Sequence, residues 1–289
     1  MLICGIDEAG RGCLAGSLFV AGVVCDEVLL SQNLSTKLQK MGIKDSKKLS
    51  KLKRYEIKSR LDEISHLSHF VVEKTAEEID TKGLSVCLKE ALEAIMQAVS
   101  AKARKKANDK DNKRDEVLGK SSCLDLPQED LIRCYFDGNS TFGASAPKSN
   151  STTKISLECI IKGDELVPLI SCASIYAKCA KDTQSAELDK IYPQYDLATN
   201  AGYGTKAHIQ SIVKYGLSPI HRASFCAKFL DFDISLEYGD FSGIVKSSKA
   251  KASKAKSNNI DSKNSKKPKS TKNVINSTKN QPSLFDGLF

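Results

Sequence analysis

The chain has 289 residues, 40% of them hydrophobic and 27% charged, which suits one large domain or two small ones built round a real core. Its longest apolar run, residues 18–25, is far too short to cross a bilayer, and no basic stretch precedes Asp7, so a cytoplasmic protein with no membrane association and no signal peptide is expected. The net charge of +9 belongs to a tail: residues 244–280 hold eleven lysines and one aspartate, which leaves residues 1–243 neutral.

In chain order, residues 2–7 and 17–25 read as strands joined by a glycine-rich stretch, 10–16. Residues 50–64 read as an amphipathic helix with Ser50 as its N-cap. Residues 69–75 have strand composition. Val86, Leu88, Leu92, Ile95, Met96 and Val99 mark a helix over 85–99. The charged segment 101–116 either extends that helix or forms a mobile insertion spanning about 100–130, a solvated excursion or an auxiliary duplex-binding element. Strands follow at 131–137 and 155–161, separated by a Ser/Thr/Gly/Asn-rich loop, 139–154. Helices are expected at 168–188 and 205–215. From 244 onward the composition is that of a disordered linker. Strands alternating with helices indicate an α/β domain. The ten cysteines show no CxxC pair, and several (Cys4, Cys25, Cys134, Cys159, Cys172) lie in apolar surroundings, as free thiols of a reducing compartment do.

Three apolar strand candidates run into acids: Asp7 with Glu8, Asp137, and Asp164. Any one of them suits an exposed loop. Gathered at the ends of adjacent central strands they would repel and pay desolvation, which a hard divalent cation relieves. Four such carboxylates suit a two-metal phosphoryl site. One geometric objection stands: neighbours on a strand face opposite ways, so Asp7 and Glu8 reach one site only if the pleat breaks after them. Gly10-Arg11-Gly12 offers uncovered backbone amides and one fixed cation, which fits close approach to a sugar-phosphate backbone. A tight turn with a surface arginine fits equally well.

With these residues in view, the sequence resembles bacterial ribonuclease HII. The resemblance rests on "GIDEAGRG" (5–12), "DSKKL" (45–49), "YFDGN" (135–139), "KGD" (162–164), "CASIYAK" (172–178), "GYGT" (202–205) and "SPIHRASF" (218–225). It covers residues 1–228 apart from the charged insertion. It implies a ribonuclease H-like fold: a central mixed sheet flanked by helices, then a small helical C-terminal region ending at 229–243. It implies a Mg²⁺ or Mn²⁺ site on Asp7, Glu8, Asp137 and Asp164. The implied reaction is endonucleolytic hydrolysis of RNA in RNA–DNA hybrids and at ribonucleotides embedded in duplex DNA, leaving 3′-hydroxyl and 5′-phosphate ends during ribonucleotide removal. Gly10, Arg11, Gly12 and Tyr203 would read the RNA–DNA junction, and Lys47 and Lys178 would hold phosphates. Without the motifs, Tyr203 is a half-buried turn residue, Lys47 a solvated lysine, Lys178 a snorkelling one, and Asp45 and Ser46 helix caps. The acids as structural residues of a noncatalytic nucleic-acid-binding protein are the rival reading.

Some residues depart from the family pattern. Ser17 stands where proline is usual, Lys181-Asp182 replaces an Arg-Asp pair, and "TNAGYGT" replaces "HKGYGT". His66 and His69 read as structural, and neither His208 nor His221 is expected to bind metal. The chain ends "QPSLFDGLF". Gln281, Leu284 and Phe285, after a flexible linker at 244–280, resemble the short peptide by which bacterial replication proteins dock on the DNA sliding clamp. A hydrophobic terminus packing on the body is the alternative. A monomer is expected.

Overall fold

The computed structural model describes residues 1–30, 34–43, 46, 48–117, 131–147 and 154–230, with side chains omitted for 105–117. Asp45, Lys47, the linker and the terminal peptide with Gln281, Leu284 and Phe285 lie outside the described residues. The elements in order are β1 (Leu2–Ala9), β2 (Leu18–Asp26), α1 (Glu27–Leu29), α2 (Ser35–Lys40), α3 (Lys51–Asp62), β3 (Ser68–Lys74), α4 (Ala76–Lys82), α5 (Leu84–Val117), β4 (Leu131–Asp137), β5 (Lys154–Ile160), α6 (Gly163–Leu166), α7 (Pro168–Ile191), α8 (Leu197–Asn200), α9 (Lys206–Tyr215) and α10 (Ala223–Cys226). No described helix is long and apolar enough to cross a membrane.

The five strands form one sheet in the order β3-β2-β1-β4-β5. β1 pairs antiparallel with β2 and parallel with β4, and β5 continues parallel to β4. The sheet is therefore mixed, with β1 at its centre. Alternation along the strands sorts side chains to two faces. Leu2, Cys4 and Ile6 join Leu18, Val20, Val24, Ile132, Cys134 and Phe136 on one face, against Leu88, Leu92, Ile95, Met96 and Val99 of α5. The apolar period read from residues 85–99 is the stripe that makes this contact. The charged segment after it continues the helix to Val117, the first of its two readings.

Helix α7 covers the other face over β1 and β2. Two glycines set how closely the layers approach. A Cβ on Gly5 would stand 2.3 Å from the Ile170 backbone nitrogen, and one on Gly22 would stand 2.6 Å from the Ile95 side chain. A smaller core of Leu14, Ala15, Tyr195, Leu197, Ile212 and Cys226 joins the loop after β1 to the helical C-terminal region.

β1 runs two residues past its expected end. Asp7, Glu8 and Ala9 still pair with Ala21, Val20 and Phe19, because β2 extends far enough back to keep the ladder going. The pleat therefore does not break after the acids. Helix α4 was not anticipated, although Thr75 and Glu78 form a reciprocal capping box at its start.

Candidate metal and nucleic-acid site

Asp7 and Asp137 are brought together by register. Ile6 pairs with Phe136, so the next residue of each strand lies on the α7 side of the sheet. Asp164 arrives from β5 through a left-handed turn at Lys162 (φ 57°) that starts α6. The same turn aims the Gly163 N–H at Asp137 Oδ1, 2.8 Å away. Each of the three aspartates then has a carboxylate oxygen within 4.8 Å of the others'. Asp7 and Asp164 are buried and Asp137 half-buried.

Burial pushes the Asp7 carboxyl up to about 6, with Lys178 and a hydrogen bond from Ser174 pulling it back down and Asp137 adding to the rise. The Glu8 N–H donates to Asp7 Oδ1 at 2.7 Å. Glu8 itself is not one of the trio. Strand alternation turns it to the α5 side, where Arg11 Nη1 lies 3.5 Å from its Oε1. Its Oε2 is buried and accepts no hydrogen bond. Burial, then the charges of Asp7 and Asp137, push its carboxyl up to about 7 despite Arg11. Glu8 thus feels the charge of Asp7 and Asp137 while holding an acceptor that no described residue fills. Converging buried oxygens with one orphaned acceptor beside them fit a hard divalent ion, and oxygen-only donors favour Mg²⁺ or Mn²⁺ over softer metals.

On the α7 side, Lys178 donates to the hydroxyls of Ser46 (2.8 Å) and Ser174, which are themselves 2.8 Å apart. The segment around Ser46 is further held by Arg54, whose Nη1 donates to the Leu49 carbonyl at 2.6 Å while its Nε and Nη2 grip Asp182 at 3.1 and 2.6 Å. Asp182, the acid kept from the Arg-Asp pair in which Lys181 replaces the arginine, is therefore the anchor of an ion pair to α3.

The glycine-rich loop after β1 is tied from two directions. Leu14 N–H donates to the Gly202 carbonyl (2.7 Å), and Gly16 N–H to Ile220 (2.8 Å). Cys13 and Ala15 form antiparallel bridges to Tyr203 and His221. This sets the half-exposed Tyr203 beside Gly10-Arg11-Gly12, whose arginine stacks over Phe142 at 5.2 Å. Gly10 has φ 88°, and a Cβ there would meet the Ser17 carbonyl at 2.7 Å, so the turn requires glycine.

Three residues beneath this loop have roles that sequence reading did not reveal. Arg222, fully buried, donates to the carbonyls of Gly16 and Arg11. Lys181, read as a cation without a fork, is buried and donates to the Ala15 carbonyl at 3.2 Å; burial pushes its pKa down to about 8. Gln184 accepts from the Ser17 N–H at 2.9 Å and donates to its hydroxyl at 2.7 Å, while that hydroxyl donates to Glu73 at 2.6 Å. A proline at 17 would forfeit both groups, so the serine is matched by its neighbours.

His208 and His221 are buried with their Nε2 atoms 3.3 Å apart. The Ser218 N–H donates to His221 Nδ1, so His221 carries its proton on Nε2 and donates to His208, which in turn donates from Nδ1 to the Tyr203 carbonyl at 2.9 Å. Burial holds both below the usual histidine range, His221 at about 4. Neutral rings in a fixed tautomeric order are supports for the Tyr203 turn.

A mixed sheet in this strand order, with carboxylates gathered from the ends of β1 and β4 and from the turn after β5, an edge strand and not the central one expected, is a ribonuclease H-like fold. It superposes on the PCNA:RNase HII complex from Archaeoglobus fulgidus with a TM-score of 0.52 at 22% identity, covering 84% of this chain and 100% of that one. It also superposes on Bst-RNase HIII in complex with Mn²⁺ with a TM-score of 0.51 at 16% identity, covering 79% and 69%. The Ribonuclease HII of Helicobacter pylori strain HPAG1 is 42% identical over 224 residues, 78% of this chain and 91% of the relative. The chain belongs to the ribonuclease HII family, whose model matches residues 4–120 and 126–228, interrupted within the segment read as an insertion. Membership supports ribonuclease H activity.

Proposed function

We propose that the chain is a divalent-metal-dependent endonuclease. It hydrolyses the RNA strand of RNA–DNA hybrids and incises at single ribonucleotides in duplex DNA, leaving 3′-hydroxyl and 5′-phosphate ends. The observation that carries this reading is the convergence of Asp7, Asp137 and Asp164 beside the unfilled Glu8 oxygen. These four residues would hold Mg²⁺ or Mn²⁺, which when bound lowers the pKa of water and stabilises a leaving oxygen. Lys178, fixed by two serines, and Lys47 neutralise phosphate charge. Gly10, Arg11 and Gly12 approach the ribose through their backbone, where the 2′-hydroxyl is the group that separates RNA from DNA. Tyr203 lies across the neighbouring deoxyribose.

Cleavage mapping on a duplex with one embedded ribonucleotide tests the proposal. A single cut on the 5′ side of the ribonucleotide is expected with Mg²⁺ or Mn²⁺, and none with chelator. A chain that binds this duplex and never cuts it with either ion supports the noncatalytic rival.

We also propose that the terminal peptide docks on the sliding clamp through Gln281, Leu284 and Phe285. The archaeal structural relative with PCNA and the peptide's place after a lysine-rich linker support this reading. If flexible, the linker's 37 residues reach about 35 Å, and tethering raises the local concentration of enzyme at DNA. Deleting residues 281–289 is expected to abolish clamp binding in a pull-down while leaving cleavage of short duplexes intact. Unchanged clamp affinity rejects the assignment. In this reading the protein acts as a cytoplasmic monomer during replication and repair.

A further inference from the structure

We infer that Arg222 is a positioning residue of the substrate-reading loop. It holds the Arg11 carbonyl inward and thereby turns the Gly12 N–H outward as a fixed donor for an acceptor oxygen of the ribonucleotide. The inference deepens the proposed function and rests on it.

Arg222 is fully buried and forms no ion pair with a carboxylate among the described residues. A guanidinium out of water with no carboxylate in contact, only Asp80 acting on it from a distance, is costly, and an apolar side chain would fill the space at less expense. Its contacts show what the charge holds. Nη1 donates to the Arg11 carbonyl at 3.1 Å and Nε to the Gly16 carbonyl at 3.0 Å. The backbone N–H of Arg222 donates to the Leu14 carbonyl at 2.7 Å. One residue therefore spans the loop from near its tip to its base. Its planar fork is kept in place by the Phe225 ring, 5.4 Å away.

The consequence for Gly12 follows from peptide geometry. A trans peptide directs its C=O and its N–H in opposite directions, and the chain contains no cis bonds among the described residues. With the Arg11 carbonyl fixed toward the buried guanidinium, the N–H of the same peptide unit, that of Gly12, points away from it. No described residue accepts a hydrogen bond from that N–H. A Cβ on Gly12 would meet nothing within 4 Å, so this side of the loop is open. The result is an unpaired donor, oriented before substrate arrives and backed by a buried positive charge, the arrangement that makes amide donors effective toward oxygen. The acceptor is either the 2′-hydroxyl oxygen or a phosphate oxygen of the ribonucleotide.

The test measures binding in Ca²⁺ to a duplex with one ribonucleotide and to the same duplex in DNA alone, for wild type, Arg222→Met and Asp80→Ala. Asp80 caps the helix after Arg222 by accepting from the Ala223 N–H at 2.6 Å and the Ser224 N–H at 3.2 Å. Its loss loosens the same segment without touching a loop carbonyl. For a 2′-hydroxyl acceptor, R222M is expected to lose roughly tenfold in affinity for the ribonucleotide duplex alone. For a phosphate acceptor, both duplexes weaken equally. D80A should bind both as wild type does. An R222M protein that binds both duplexes like wild type overturns the inference, and so does a D80A protein that weakens as much as R222M. Hydrogen exchange on the wild-type chain gives a reading that needs no variant: the Gly12 amide should exchange freely alone and become protected in the ribonucleotide complex. Protection in the free protein, or none in the complex, also overturns the inference. Failure of the wild type to cut the ribonucleotide duplex with Mg²⁺ or Mn²⁺ would instead reject the proposed function.

Discussion

Asp7→Asn is expected to lower cleavage of a ribonucleotide-containing duplex by at least about 10³-fold while leaving duplex affinity within about threefold. Asp7 stands on the central strand, with Asp137 beside it and Lys178 reaching it from α7. Asparagine keeps its shape and removes the charge that draws a divalent ion into the trio. The residues assigned to the duplex backbone, Gly10, Arg11, Gly12, Lys178 and Tyr203, keep their places. The same change should raise the melting temperature of the metal-free protein, because it removes a buried carboxylate from a crowded site and relieves Glu8, whose carboxyl Asp7 helps to push up. Cleavage assays with fluorescence anisotropy, and melting in chelator, measure the three quantities. Retained cleavage would remove Asp7 from the chemistry. Lost binding together with lost cleavage would make the residue structural.

The sequence carried the parts of this arrangement that depend on local pattern. Residues 85–99 announce a helix because their apolar positions recur at helical spacing, and the fold uses that stripe against the sheet. Asp7 and Asp137 stand out because each ends a strongly apolar run, and Asp164 because it follows one by two residues, Lys162 and Gly163. What the sequence could not carry is pairing. The length of β1 depends on where β2 begins, so the direction of Glu8 is decided by a partner strand and not by the glycines that follow it. Arg222 reads as one more arginine in a turn, yet its partners lie 206 and 211 positions away. Lys181 reads as a weakened arginine, and only the fold reveals that it is buried against Ala15. Ser17 reads as a lost proline until Gln184 and Glu73 arrive beside it. In each case the chemistry is written in residue type and the role in tertiary contact.

Divalent-ion affinity is expected to fall about 10³-fold between pH 8 and pH 5, and metal-free stability to move the other way. The folded protein raises the Asp7 carboxyl from 3.8 to about 6 and the Glu8 carboxyl from 4.5 to about 7. Between about pH 4 and pH 7 the folded state therefore holds protons that the unfolded chain has released. Stability contributed by these two groups is greatest at the acid end of that window and declines as pH rises through it, the reverse of a salt-bridged carboxylate. A bound cation must expel the same protons, so affinity climbs over the window and levels off above about pH 7. Two protons, with apparent values near 6 and 7, give factors of about 10 and 100 at pH 5. Glu8→Gln should remove the larger factor, leaving a fall of about tenfold. Mn²⁺ titration by calorimetry at several pH values, for wild type and E8Q, measures both. Stability is best read as the difference between the two proteins, because His208 and His221, held below the usual histidine range, contribute an opposite slope common to both. A Mn²⁺ affinity independent of pH would mean that the ion is held by groups other than these two, and the crowding of carboxylates would then need a different purpose.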